Sequence, residues 1–94
     1  MIINESLDIP EVFRFYGYSF FFYSKEHKPL HIHVEGNGGM AKFDWNGSEF
    51  ILSEREGIKA SDFKKIKQVI AENADIIVKR WHEYFDKYNE GGGI

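Results

Sequence analysis

Residues 30–45, LHIHVEGNGGMAKFDW, carry the pattern that sets the architecture. LHIHVE (30–35) and MAKFDW (40–45) each alternate apolar with polar residues, and the glycine-rich GNGG lies between them. Alternation with a period of two marks a half-buried strand, because successive side chains leave a strand on opposite faces. Pairing Val34 with Ala41 across the glycines places Ile32 beside Phe43 and Leu30 beside Trp45, so that one face is apolar throughout. His31, His33 and Glu35 then share the other face with Lys42 and Asp44, with His31 across from Asp44 and His33 across from Lys42. Helices laid on the apolar face leave the histidines pointing outward.

Downstream, Asn46-Gly47 separates this hairpin from SEFILS (48–53). Asn-Gly is the strongest short hairpin signal, since a type I′ turn needs positive φ at both central positions. A two-residue turn there sets Trp45 against Ser48, Phe43 against Phe50 and Ala41 against Leu52, and brings Glu49 to the histidine face. Upstream, EVFRFY (11–16) and YSFFFY (18–23) form two more strands around Gly17, whose missing side chain marks a bulge or a sharp bend. Phe21 and Tyr23 alternate away from Tyr18, Phe20 and Phe22, so one of these two sets lands near the histidines.

After the linker EREGIKA (54–60) the period changes. Phe63, Ile66, Ile70, Ala74, Ile77, Trp81, Tyr84 or Phe85, and Tyr88 follow in steps of three and four, which is the apolar stripe of an amphipathic helix. Ser61 fits a helix N-cap with Asp62 in the first turn. Asn73-Ala74-Asp75 leaves one long helix or two short ones open, with Asn73 capping the first and Asp75 the second. The expected fold is one α+β domain over 1–94. An antiparallel β-meander of four to five strands (about 11–53) is covered on one face by one long or two short C-terminal helices (about 61–88), and 89–94 form a flexible tail.

Composition narrows the function. A chain of 94 residues supports one core, and 17% aromatic against 29% charged residues supplies enough apolar surface to fold it. The absence of cysteine excludes disulfides and thiolate metal sites, so any metal must sit on nitrogen and oxygen. The N-terminal residues lack the order of a signal peptide, and the longest apolar run, FFFY at 20–23, is far below the roughly 20 residues that span a bilayer. The expectation is a cytoplasmic chain without membrane contact. A net charge of -3 gives little attraction for phosphate backbones, and Lys59, Lys64, Lys65 and Lys67 read as the solvated face of a helix, which leaves nucleic-acid binding without support.

Three uses of the histidine face remain. His31, His33 and Glu35, with His27 reaching in from the preceding turn, make a ligand set suited to Zn, Mn or Fe, although neighbours on one strand face stand about 6.5 to 7 Å apart and need twist or the turn ligand to close on one ion. His31 and His33 are also candidate catalytic groups for phosphodiester cleavage. In that role they would shuttle a proton, with Asp44 fixing the tautomer of His31 and Lys42 stabilising a developing anion. Finally, the histidines with Phe21 and Tyr23 make an aromatic face that is either covered by the chain's own turns or binds a partner. No P-loop, nucleophile elbow or dinucleotide motif is present.

FRFYG (13–17), the alternating strand after it, EHKPLHIHV (26–34) and Trp81 together resemble DUF4160, a small bacterial family of unknown function. The similarity spans most of the chain, and Pro-x-His-x-His is its most specific part. Leu30 stands where the family usually has a second proline, leaving Pro29 alone to fix φ before the strand. Phe21 stands where members often carry arginine, which removes a cation near the histidines. The resemblance singles out His27, Pro29, His31 and His33, with Gly17 and Trp81 as structural positions, and it implies a gene neighbourhood similar to toxin-antitoxin pairs. The expected function is a non-catalytic interaction module for a small protein or a second copy of itself, held through the His/aromatic face or an exposed strand edge. The alternative is a histidine-dependent hydrolase or nuclease, with or without a divalent metal, acting on RNA or a phosphoester; whether the chain is an enzyme stays open.

Overall fold

The computed structural model describes residues 11–23 and 30–93, with side chains as far as residue 85. Five strands, β1 (Glu11–Phe15), β2 (Tyr18–Phe21), β3 (His31–Gly36), β4 (Gly39–Trp45) and β5 (Phe50–Glu56), form one sheet in chain order with every neighbouring pair antiparallel. Two helices follow, α1 (Ala60–Glu72) and α2 (Ala74–Gly93). This is the expected α+β meander, with the upper number of strands and two helices. Among the described residues no helix is long and apolar enough to cross a membrane.

The pairing of β3 with β4 follows the alternation: His31 opposes Asp44, Ile32 opposes Phe43, His33 opposes Lys42 and Val34 opposes Ala41. Phe20 then meets Val34 from β2, and these side chains form the sheet half of the core. The helix half is the expected stripe, in which Phe63, Ile66, Ile70, Ile77, Trp81 and Phe85 are all buried.

The turn expected in GNGG is present, whereas the tight turn expected at Asn46-Gly47 is not. Tyr16 and Gly17 (φ 54 and 82) close β1 on β2, and Asn37 and Gly38 (φ 47 and 82) close β3 on β4, each with positive φ at both positions as a type I′ turn requires. Gly17 is therefore a turn residue. The Asn46-Gly47 turn is not of this kind, which corrects the register expected for the last hairpin. The side chain of Asn46 accepts hydrogen bonds from the backbone N–H groups of Ser48 (2.8 Å) and Glu49 (2.9 Å), and its own N–H donates to the Glu49 carbonyl (3.0 Å). Such an Asx turn widens the loop to residues 46–49, so Trp45 pairs with Phe50 and Phe43 with Leu52. The shift is two residues, which preserves the faces; a further irregularity between Lys42 and Phe43 pairs Ala41 with Arg55. Glu49 thus leaves the histidine face for the loop.

At the helices two corrections are smaller. Ser61 is not the N-cap: α1 starts at Ala60 with Lys59 in the cap position, and the N–H of Phe63 bonds the Lys59 carbonyl at 2.9 Å. Burial of Ile58 and Phe63 on either side fixes where the helix begins and overrides the capping preference. Asn73 does end α1, donating to the carbonyls of Val69 and Ile70, while its own carbonyl accepts from Ile77 and so opens α2; Asp75 sits one residue inside α2 rather than at its cap. The backbone of α2 runs to Gly93, past the expected end at 88 and through positions assigned to a flexible tail.

One close approach ties the two tight turns together. A Cβ at Gly36 would meet the carbonyl oxygen of Gly17 and lie 2.8 Å from the Cα of Tyr18, so only glycine fits where the first hairpin crosses the second. Gly36→Ala is expected to lower the unfolding free energy by about 3 kcal/mol in urea denaturation. Gly38→Ala, which faces open space and carries only the strain of its positive φ, is expected to cost about 1 to 2 kcal/mol. Equal losses in the two variants would show that the crossing is not tight.

Candidate functional site

Ile32 and Val34 are fully buried against the helices, so strand alternation turns His31 and His33 to the opposite face of the sheet. Around the two histidines that face does not open to solvent. His31 is 6% and His33 7% exposed, which corrects the outward-facing placement. The cause lies in β2 and the residues after it. Phe21 stacks on His33 with ring centres 5.5 Å apart, Tyr23 meets the same ring edge-on at 4.4 Å, and the two imidazoles are 5.0 Å apart and nearly perpendicular. Phe21 is itself buried, yet it lies outside the helix-side core cluster, so the second sheet face has its own aromatic packing.

The remaining candidates scatter around this packing. Asp44 is the rung partner of His31, and among the described residues its buried Oδ1 has no hydrogen-bond donor. Lys42 is the rung partner of His33, but its ammonium lies 4.0 Å from Glu54 of β5. Glu35 is exposed, on a rung with Ser19 and Met40 at the other end of β3 from His31. His27 falls outside the described residues, as does Pro29. Among the described residues no three His, Asp or Glu side chains gather into a group that could hold a metal ion. The structure therefore brings together His31, His33, Phe21 and Tyr23, sets Asp44 opposite, and keeps Glu35 apart. With Phe21 against one side of the His33 ring and Tyr23 against another, this arrangement packs imidazole more than it presents it.

Two features escaped the sequence. The Tyr18 hydroxyl donates a 2.8 Å hydrogen bond to Asp62 Oδ2, joining the sheet to α1 with both side chains buried. Burial pushes the Tyr18 hydroxyl above its ordinary value of 10.0; a hydrogen bond from the Asn37 side chain opposes this, and Asp62 acts in the same direction as burial. The partners are 44 residues apart and belong to no motif, so nothing local announces them. The second feature is β5. It is the last strand of the sheet, and Ile51 and Leu52 are 46% and 39% exposed on it. A groove of about 350 Å³ between β5 and α1 is lined by Phe43, Leu52, Ile70, Ala71, Ala74 and Lys67. The expected two-residue turn hid this, because it placed Leu52 deeper along the sheet against Ala41.

A family model described as a domain of unknown function (DUF4160) matches residues 17–82. No curated protein and no solved structure matches the chain.

Tyr18→Phe is expected to destabilise the fold by about 1 to 3 kcal/mol near neutral pH, because it strips a buried carboxylate of its donor. The native hydroxyl holds its proton to higher pH than the unfolded one. The wild-type advantage is thus complete below pH 10.0 and declines as pH rises from there through the raised native value. Urea denaturation of both proteins between pH 7 and pH 11 should show the gap narrowing at the alkaline end; a gap that stays constant would contradict the buried pairing.

Proposed function

We propose that this chain, which belongs to the DUF4160 family, is a non-catalytic interaction module that holds a protein partner by taking one of its strands onto β5. The observation that carries this reading is the exposed edge. Among the described residues the seven-residue strand β5 pairs on one side only, with β4, and six of its residues are exposed. An open edge with apolar side chains is a template for another strand, and folded proteins normally cover or charge such edges. The His/aromatic face, the other surface expected to bind, is already filled by its own rings. The toxin-antitoxin-like gene arrangement that the resemblance implies fits a dedicated small partner.

A second reading, a histidine-dependent hydrolase acting on RNA or a phosphoester, is favoured by one observation only, the buried Oδ1 of Asp44 on the rung of His31. In that reading a divalent ion such as Zn(II), Mn(II) or Fe(II) at saturation raises the melting temperature by mass action, and His31→Ala abolishes the rise. A histidine that only packs gives no shift.

The interaction reading predicts that the double variant Ile51→Lys, Leu52→Lys keeps its melting temperature but recovers about tenfold less of the protein that copurifies with the wild-type chain from its host, as measured by quantitative mass spectrometry. Equal recovery by the variant would remove β5 from the interface.

A further inference from the structure

The apolar half of β5 borders more than a flat edge. The groove beside it has Ile70 as part of its floor, and the small side chains of Ala71 and Ala74 leave it unfilled. It continues past Ser48 into a second hollow between Trp45 and Val78, over the junction of α1 and α2. Lys67 lines the first part together with Glu49, and Lys79 the second together with Asp75. Neither lysine makes an ion pair with a carboxylate among the described residues. The Lys67 ammonium instead lies 5.1 Å from the ring centre of Phe63.

We propose that this groove selects the partner strand: an extended segment with a large apolar side chain seated over Ala71 and Ala74, flanked by a carboxylate that pairs with Lys67. The proposal rests on the strand-addition reading of β5. An extended chain is the ligand that can satisfy the open backbone edge, since a helix has its own N–H and C=O groups already paired. The partner is a foreign strand because β5 is not self-complementary. Phe50, Ile51 and Leu52 make its first half apolar, and Glu54, Arg55 and Glu56 make its second half charged. Two copies paired antiparallel about a two-fold axis would set the apolar half of one against the charged half of the other. Glu54 and Glu56 repel an acidic residue at the far end of the strand, and of the charged side chains that line the groove, Glu49 and Lys67, only Lys67 attracts the partner's carboxylate.

The test uses the full chain and fluorescently labelled β-forming peptides of one length that differ at two places, leucine or alanine at the centre and aspartate or lysine beside it. The leucine-aspartate peptide is expected to bind about thirtyfold more tightly than its alanine counterpart in fluorescence anisotropy titrations. Ala71→Trp fills the groove from an exposed helix position and should erase that preference. Lys67→Glu, which leaves the groove open, should turn the preference from aspartate to lysine. If the leucine and alanine peptides bind the wild type equally, the groove does not select and this inference fails while strand addition stands. If no peptide binds to chain that circular dichroism shows to be folded, strand addition fails with it. A concentration-dependent dimer in sedimentation that Ala71→Trp dissolves would overturn the foreign partner in favour of a second copy.

Discussion

The central strand β3 is packed on both faces, and most of the molecule follows from that constraint. Ile32 and Val34 must enter the core between Phe20, Phe43 and the helices, which leaves His31 and His33 no choice of side. Slipping the strand by one residue would exchange two aliphatic side chains for two imidazoles in the helix-side core, a cost in buried polar groups that no local gain offsets. The same constraint brings Phe21 onto His33, because β2 is held in register by Phe20 against Val34. A sheet covered on one side by helices and, around His33, on the other by aromatic rings has little room for a substrate at its middle, and its available chemistry moves to the rim.

How much of this the sequence carries depends on the distance over which each feature is determined. Strand alternation and the steps of three and four along the helices are local, so the β3–β4 pairing, the buried stripe and the role of Asn73 between the helices are all readable. The last hairpin fails for a reason inside one residue. Asn46 is used through its side-chain oxygen, which bonds Ser48 and Glu49, and not through the left-handed backbone that Asn-Gly usually signals. Tyr16 shows the converse, a bulky residue at φ 54 held there by the hairpin it closes. In the candidate site, the grouping of His31 and His33 and the rung with Asp44 are legible from alternation, whereas their burial is not, because it depends on how far Phe21 and Tyr23 reach across from the neighbouring strand. Tyr18 with Asp62 is beyond any local reading.

The two sides of the sheet thus divide the work. The histidine side is closed by stacked rings and stabilises the strand order. The far edge is left with apolar side chains in water and a groove beneath them, at the place where the chain turns from sheet to helix. The charged second half of β5 tempers this exposure, since Glu54, Arg55 and Glu56 resist indiscriminate pairing with other open edges.

A meander also sets the order in which the molecule can be made. Each strand pairs with its predecessor in the chain, so every hairpin can zip without waiting for distant sequence. The helices follow the sheet in the chain, and the tyrosine-aspartate bond latches α1 to it. Until then Ile32, Phe43 and their neighbours lie bare. The sheet without its helices is therefore the species most exposed to wrong association, and docking of α1 and α2 is the step that ends the exposure.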